Sequence, residues 1–138
     1  MSVSAKMFSL ALAVATVSGC AGNPIHPEQQ PLGRSFDLRS GASAGVEGGL
    51  SVRFDRVVSD SRCAIDAICV WEGDAVLSVT LSTSNAAQRD AEIHTQPAQS
   101  EVVYGQHRVS LSALAPYPRS GLPTRPEDYV ATFIVTPR

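Results

Sequence analysis

The most distinctive chemistry of the chain sits in one run, Asp60-Ser61-Arg62-Cys63-Ala64-Ile65-Asp66-Ala67-Ile68-Cys69-Val70-Trp71-Glu72-Gly73-Asp74. Cys63 and Cys69 have five residues between them. In an exported chain such a pair reads first as a disulfide. Closing so small a ring removes unfolded-state freedom worth about 2 kcal/mol, and it staples the loop that leads into the next strand. Zinc needs about four ligands, and no histidine lies near the two thiols. A catalytic redox pair usually has about two residues between its cysteines. Around the ring, Asp60, Arg62, Asp66, Trp71 and Glu72 are candidates for contact with a partner, Trp71 as an interface anchor. Each has a structural alternative. A tryptophan beside a disulfide packs on it, and Asp60 with Arg62 braces the loop through side chain to backbone bonds.

The other reactive residue types are scattered. His26 lies in a proline-rich N-terminal stretch, while His94 and His107 fall in different expected strands. A shared metal or an acid–base pair is therefore not expected. Serines are many, but no Gly-x-Ser-x-Gly occurs. Gly45 to Gly49 precedes a strand rather than a helix, which is not a phosphate cradle. No catalytic residue, metal ligand or cofactor is assigned. A second candidate region is Ala115 to Asp128, with Pro116, Pro118, Pro123 and Pro126 beside Tyr117, Arg119 and Arg125. Loops of this length are uncommon unless functional or disordered. Tyr117 and Arg119 suit the clamping of an anionic or sugar-like ligand. The alternative is a crossover between sheets whose prolines limit unfolded-state entropy.

Asp60-Ser61-Arg62-Cys63 followed by Cys69-Val70-Trp71-Glu72-Gly73 resembles a D-S-R-C-P-x(4)-C-x-W-x-G motif of small exported bacterial lipoproteins of unassigned function. Ala64 stands where that pattern often has proline, so the loop is less constrained here. The strand after Gly73 and Tyr117-Pro118-Arg119 also look similar. The resemblance implies a cell-envelope compartment and a β fold, and no activity.

Compartment is also written at the N-terminus. Lys6 gives a positive start, Met7 to Val17 is an apolar run of 11 residues, and Val17-Ser18-Gly19-Cys20 follows. A spanning helix needs about 20 apolar residues, so the run reads as a cleaved export signal over residues 1–19. The last four residues resemble a bacterial lipobox, with Val17 where leucine is usual. Cys20 is the expected lipidation site, and two or more acyl chains hold a protein stably to a membrane. Ala21 is not aspartate, so nothing resembles an inner-membrane retention signal. The expected home is the cell envelope, on the periplasmic side of the outer membrane if the cell is Gram-negative.

Removing 19 of 138 residues leaves 119, with ten arginines, thirteen acids and no lysine, since Lys6 leaves with the signal. Lysine nucleophile chemistry is thereby excluded from the mature chain. A formal net charge of −2 leaves no basic footprint for nucleic acid. Residues 20–33 read as lipid anchor and extended tether, able to reach roughly 40 Å.

Residues 34–138 must hold the ring in place, and their pattern is that of strands. Phe36 and Leu38 alternate with polar neighbours. Leu50, Val52 and Phe54 alternate too, and then slip to Val57 and Val58, predicting a bulge or strand end near Arg56. Asp74 to Ser82 is the clearest strand, with Ala75, Leu77, Val79 and Leu81 on one face. Ser84 to Arg89 reads as a polar loop. Ala91–Thr95 and Glu101–Tyr104 read as a hairpin, which would set His94 near Val102 and His107 near Arg89. Val109, Leu111 and Ala113 share a face, as do Tyr129, Ala131, Phe133 and Val135. No window shows helical periodicity. Six to eight short strands predict an all-β domain, an antiparallel β-sandwich or partly open barrel.

The expected function is non-enzymatic binding or envelope assembly by a lipid-anchored domain, with a membrane contact through the lipid and an envelope protein or glycan as partner. The alternative expectation is an exported inhibitor of a protease or lysozyme that inserts the disulfide loop.

Overall fold

The computed structural model describes residues 28–138; the expected export signal over residues 1–19, the expected lipidation site Cys20 and residues 21–27 of the expected tether lie outside the described residues. Eight strands follow in order: β1 (Ser35–Arg39), β2 (Ser43–Val46), β3 (Leu50–Asp60), β4 (Ala75–Thr83), β5 (Ala86–His94), β6 (Glu101–Tyr104), β7 (His107–Ala115) and β8 (Val130–Pro137). They form two four-stranded antiparallel sheets, ordered β1-β8-β7-β6 and β2-β3-β4-β5. The sheets pack face to face as a β-sandwich.

Alternation explains the central strands. Ala75, Leu77, Val79 and Leu81 of β4 are all fully buried, as are Leu50, Val52 and Phe54 of β3. Period-2 burial of one face is what a half-covered sheet demands. From the opposite sheet come Phe36, Leu38, Val109, Ala131, Phe133 and Val135. Phe133 links the layers, lying edge-on to Phe54 at 6.3 Å and 6.2 Å from Phe36. The slip near Arg56 is a double irregularity of β3, between Phe54 and Arg56 and between Val57 and Ser59.

Four expectations need correction. Ser84 to Arg89 is not all loop, because β5 begins at Ala86 and pairs with β4. Ala86 to Asp90 is an edge exposed on both faces, so solvent imposes no alternation there. Arg89, Asp90 and Glu92 instead charge the edge, which discourages pairing with other chains. Second, β5 and β6 are not a hairpin. Thr95 to Ser100 carries the chain from one sheet to the other, through a short 3-10 turn at Pro97–Gln99. His94 therefore pairs with Val76, and His107 with Tyr104 and Pro137. Third, β7 has an irregularity between Leu111 and Ala113, so Leu114 is buried and Ala113 exposed. Fourth, Ala115 to Asp128 joins β7 to β8, neighbours in one sheet, and is no crossover between sheets.

The chain enters at one pole. The Gln30 amide donates to the Gly45 carbonyl at 2.8 Å, the Glu47 amide to Gln30 at 3.0 Å, and the Gly33 amide to Val135 at 2.7 Å. From that end β3 runs its 11 residues to Asp60, roughly 30 Å away at about 3.3 Å per residue. The disulfide loop and the proline-rich loop both lie at the far pole. Among the described residues, no helix is long and apolar enough to cross a membrane.

Candidate functional site at the stapled pole

At the far pole β3 ends in Asp60, and two residues later the chain must turn toward the ring. Asp60 and Arg62 make that turn as a buried ion pair, their side chains only 9% and 4% exposed. Arg62 donates from Nε to Asp60 Oδ1 at 2.9 Å and from Nη2 to Oδ2 at 2.7 Å, a bidentate fork. Its backbone amide reaches Oδ1 at 3.2 Å, and the Tyr129 hydroxyl donates to Oδ2 at 3.0 Å. Arg62 also donates to the Leu114 carbonyl at 2.6 Å and the Pro116 carbonyl at 2.8 Å. It stacks over the Tyr117 ring at 4.7 Å. The guanidinium thus stands where a neighbouring strand would otherwise satisfy the end of β7.

Burial acts to raise the Asp60 pKa, but the Arg62 side chain and amide, the Arg62 charge and the Tyr129 hydroxyl outweigh it and hold the carboxyl below its ordinary value. Burial, together with Asp60, raises the Tyr129 phenol.

The ring itself is closed, with Cys63 and Cys69 bonded and their Cα atoms 5.9 Å apart. Its loop is clasped from both sides. The Ser61 amide donates to Asp74 and the Cys63 amide to Glu72, both at 2.7 Å. The Ile65 amide donates to the Pro118 carbonyl at 3.0 Å, and the Ser120 amide to Asp66 Oδ1 at 2.9 Å. That amide holds the Asp66 carboxyl below its usual range. Asp74 bonds His94 Nδ1 at 2.6 Å and accepts from Thr95 and the Gln96 amide, tying the loop's exit to the end of β5. Removing both cysteines (Cys63→Ala with Cys69→Ala) is expected to cost about 2 kcal/mol in urea unfolding. A loss below about 0.5 kcal/mol would show that the backbone clasp alone holds the ring.

The candidate partner residues therefore separate into two groups. Asp60 and Arg62 face inward and are fully engaged. Trp71 does not pack away beside the disulfide; it is 72% exposed, and Tyr117 is 58% exposed. Glu72 and Arg119 are also exposed. Sequence reasoning missed the residues that complete this surface: Ile65, Ile68, Val70 and Leu122, with Ile68 at 105% and Val70 at 106% exposure. A signal was present, because a ring closed by two cysteines six positions apart is too small to enclose a core for its own isoleucines.

Of the seven large hydrophobic residues exposed among the described residues, only Val58 lies off these two loops. The other six lie on the disulfide loop and the proline-rich loop, which the Ile65–Pro118 and Ser120–Asp66 bonds hold side by side. Among the described residues no three His, Cys, Asp or Glu side chains are placed to hold a metal ion. No family model, curated protein or solved structure matches this chain, which leaves its fold and surface as the grounds for a functional reading.

Proposed function

We propose that the chain is a lipid-anchored domain of the cell envelope that binds a partner with its stapled pole and performs no catalysis. The exposed cluster of Ile65, Ile68, Val70, Trp71, Tyr117 and Leu122 carries this reading. Exposed apolar surface of that extent lowers solubility unless it is covered in use. The disulfide, the Arg62 cap and the Asp66–Ser120 bond hold the loop in one shape, so little ordering entropy opposes binding.

Polarity supports it further. The chain enters the sandwich at the opposite pole, so a lipid on Cys20 would leave the apolar pole pointing away from the anchoring membrane. Tethering would confine that pole near a surface and raise the effective concentration of any envelope partner.

The protrusion of Ile68 and Val70 from a stapled ring also favours a second reading, an exported inhibitor that seats this loop in the cleft of a protease or lysozyme.

One experiment addresses both. A photocrosslinking side chain replaces Ile68, or Val58 on β3 as control, in the full chain in its native cells. A discrete protein adduct is expected from position 68 and not from 58. No adduct at 68, or equal adducts at both, overturns binding by this pole. An adduct to an enzyme that the domain inhibits stoichiometrically selects the second reading. In parallel, Cys20→Ala is expected to remove the lipid mass and release the protein from membranes; a variant that stays membrane-bound overturns the anchor.

A further inference from the structure

Beside the stapled loop lies a groove made of two cavities that meet at Arg62, Thr95 and Tyr117. One, of about 340 Å³, runs along Leu111 to Ala115 of β7. The other, of about 290 Å³, is walled by Trp71, Glu72, Gln96 and Pro97. The groove exists because β6 is short. It pairs with β7 only as far as Ser110, and the Leu111 amide then bonds Ser100 at 2.8 Å. Farther on, Arg62 holds the Leu114 carbonyl. Between those two points Ser112 and Ala113 are exposed, flanked by β8 on one side and, among the described residues, by no strand on the side that β6 leaves.

A strand edge left open on one side next to a groove accepts another extended chain, whose backbone extends the ladder while its side chains enter the groove. The first cavity follows β7 and the second continues from it past Arg62, Thr95 and Tyr117 toward Trp71 and Glu72, and that elongated shape matches an extended chain better than a compact ligand. Charge gives the direction. Arg62 borders both cavities but is neutralised by Asp60. Glu72 makes no ion pair among the described residues, and it lines the same end as Trp71 and Tyr117. A carboxylate beside aromatic faces suits a cation.

We infer that this groove binds an extended polypeptide segment of a partner, with apolar side chains along Leu111–Ala115 and a lysine, arginine or amine at Glu72. The inference rests on the reading that this pole binds a protein, and it names the part of the partner recognised.

The test uses the full chain and the peptide acetyl-Val-Thr-Val-Lys-amide. The single tryptophan is Trp71, so its emission reports occupancy directly. A saturable change is expected, with slowed amide exchange over residues 111–115. Glu72→Gln is expected to weaken the lysine peptide at least threefold and to leave a norleucine analogue unchanged. A peptide with proline in place of threonine cannot complete the ladder and is expected to bind at least tenfold more weakly. Ala113→Phe, at an exposed position, is expected to fill the groove and abolish the response. The groove is overturned by no saturable change up to millimolar peptide, by equal binding of the proline peptide, or by unchanged exchange over 111–115. Failure here with the Ile68 adduct intact overturns the groove alone. Loss of both overturns the binding pole.

Discussion

Replacing Arg62 with methionine is expected to lower the unfolding free energy by about 3–5 kcal/mol, the usual consequence of removing one partner from a buried ion pair. Methionine restores the volume of the aliphatic stem but none of the donors. Asp60 would keep only the Tyr129 hydroxyl and the residue 62 amide, and the carbonyls of Leu114 and Pro116 would lose their partner. Each buried group left unpaired costs about 1–3 kcal/mol. Urea unfolding followed by far-ultraviolet dichroism measures the loss.

A double-mutant cycle with Asp60→Asn separates pair from cap. The two single changes are expected to cost more in sum than the double variant, because the second removes a charge already stranded. Strict additivity would show that Arg62 acts only as the cap of β7. Acid adds an independent readout. Since the folded carboxyl of Asp60 titrates below its ordinary value near 3.8, its contribution is present above that value. It is lost as pH falls further, through the folded pKa. Asp74 acts in the same direction: burial opposes its ionisation, but His94, Thr95 and the Gln96 amide outweigh that and lower its pKa. Stability is therefore expected to fall below about pH 4, and less steeply in Asp60→Asn.

The sandwich core was legible because its rule is local. Ala75, Leu77, Val79 and Leu81 recur at every second position, with Val76 the one apolar residue at the intervening positions beside Ser78 and Thr80, and any covered sheet face requires that period. The irregularity near Arg56 was legible for the same reason, as a break in alternation. The edge strand β5 was hidden, since its first five residues face water on both sides and carry no period. The change of sheet at Thr95–Ser100 was hidden because a turn sequence does not say to which sheet the next strand returns. At the pole, the disulfide could be read from spacing, but the Arg62 cap could not. Arg62 and the Leu114 carbonyl are 52 residues apart, and one of the two groups is backbone, which has no identity in a sequence. The exposed patch was not legible from polar and aromatic residue types alone, since Ile65, Ile68 and Val70 become surface only because the ring is too small to bury them.

The glycine that closes the stapled run supplies the second large effect. Gly73→Ala is expected to cost about 3–4 kcal/mol, near the upper end for a single substitution. Gly73 has φ +72, a left-handed conformation, which costs a residue with a Cβ about 1–2 kcal/mol. A Cβ at that position would also lie 1.9 Å from the Ser61 carbonyl oxygen and 2.7 Å from its carbon. That oxygen cannot swing aside as a side-chain end can. It belongs to the backbone between Asp60 and Arg62, and the Ser61 amide is already bonded to Asp74. Relief would have to move the whole crossing of loop entry and exit, breaking the bonds that set Trp71 and Glu72 against the groove. Gly121→Ala isolates the packing component. Gly121 has the same φ of +72 and nothing within 4 Å of an added Cβ, so conformational strain alone should appear there. The alanine variants are therefore expected to differ by about 2 kcal/mol in urea unfolding. Equal losses would mean that the two arms of the loop separate freely, and a pole that loose would not be preorganised for a partner.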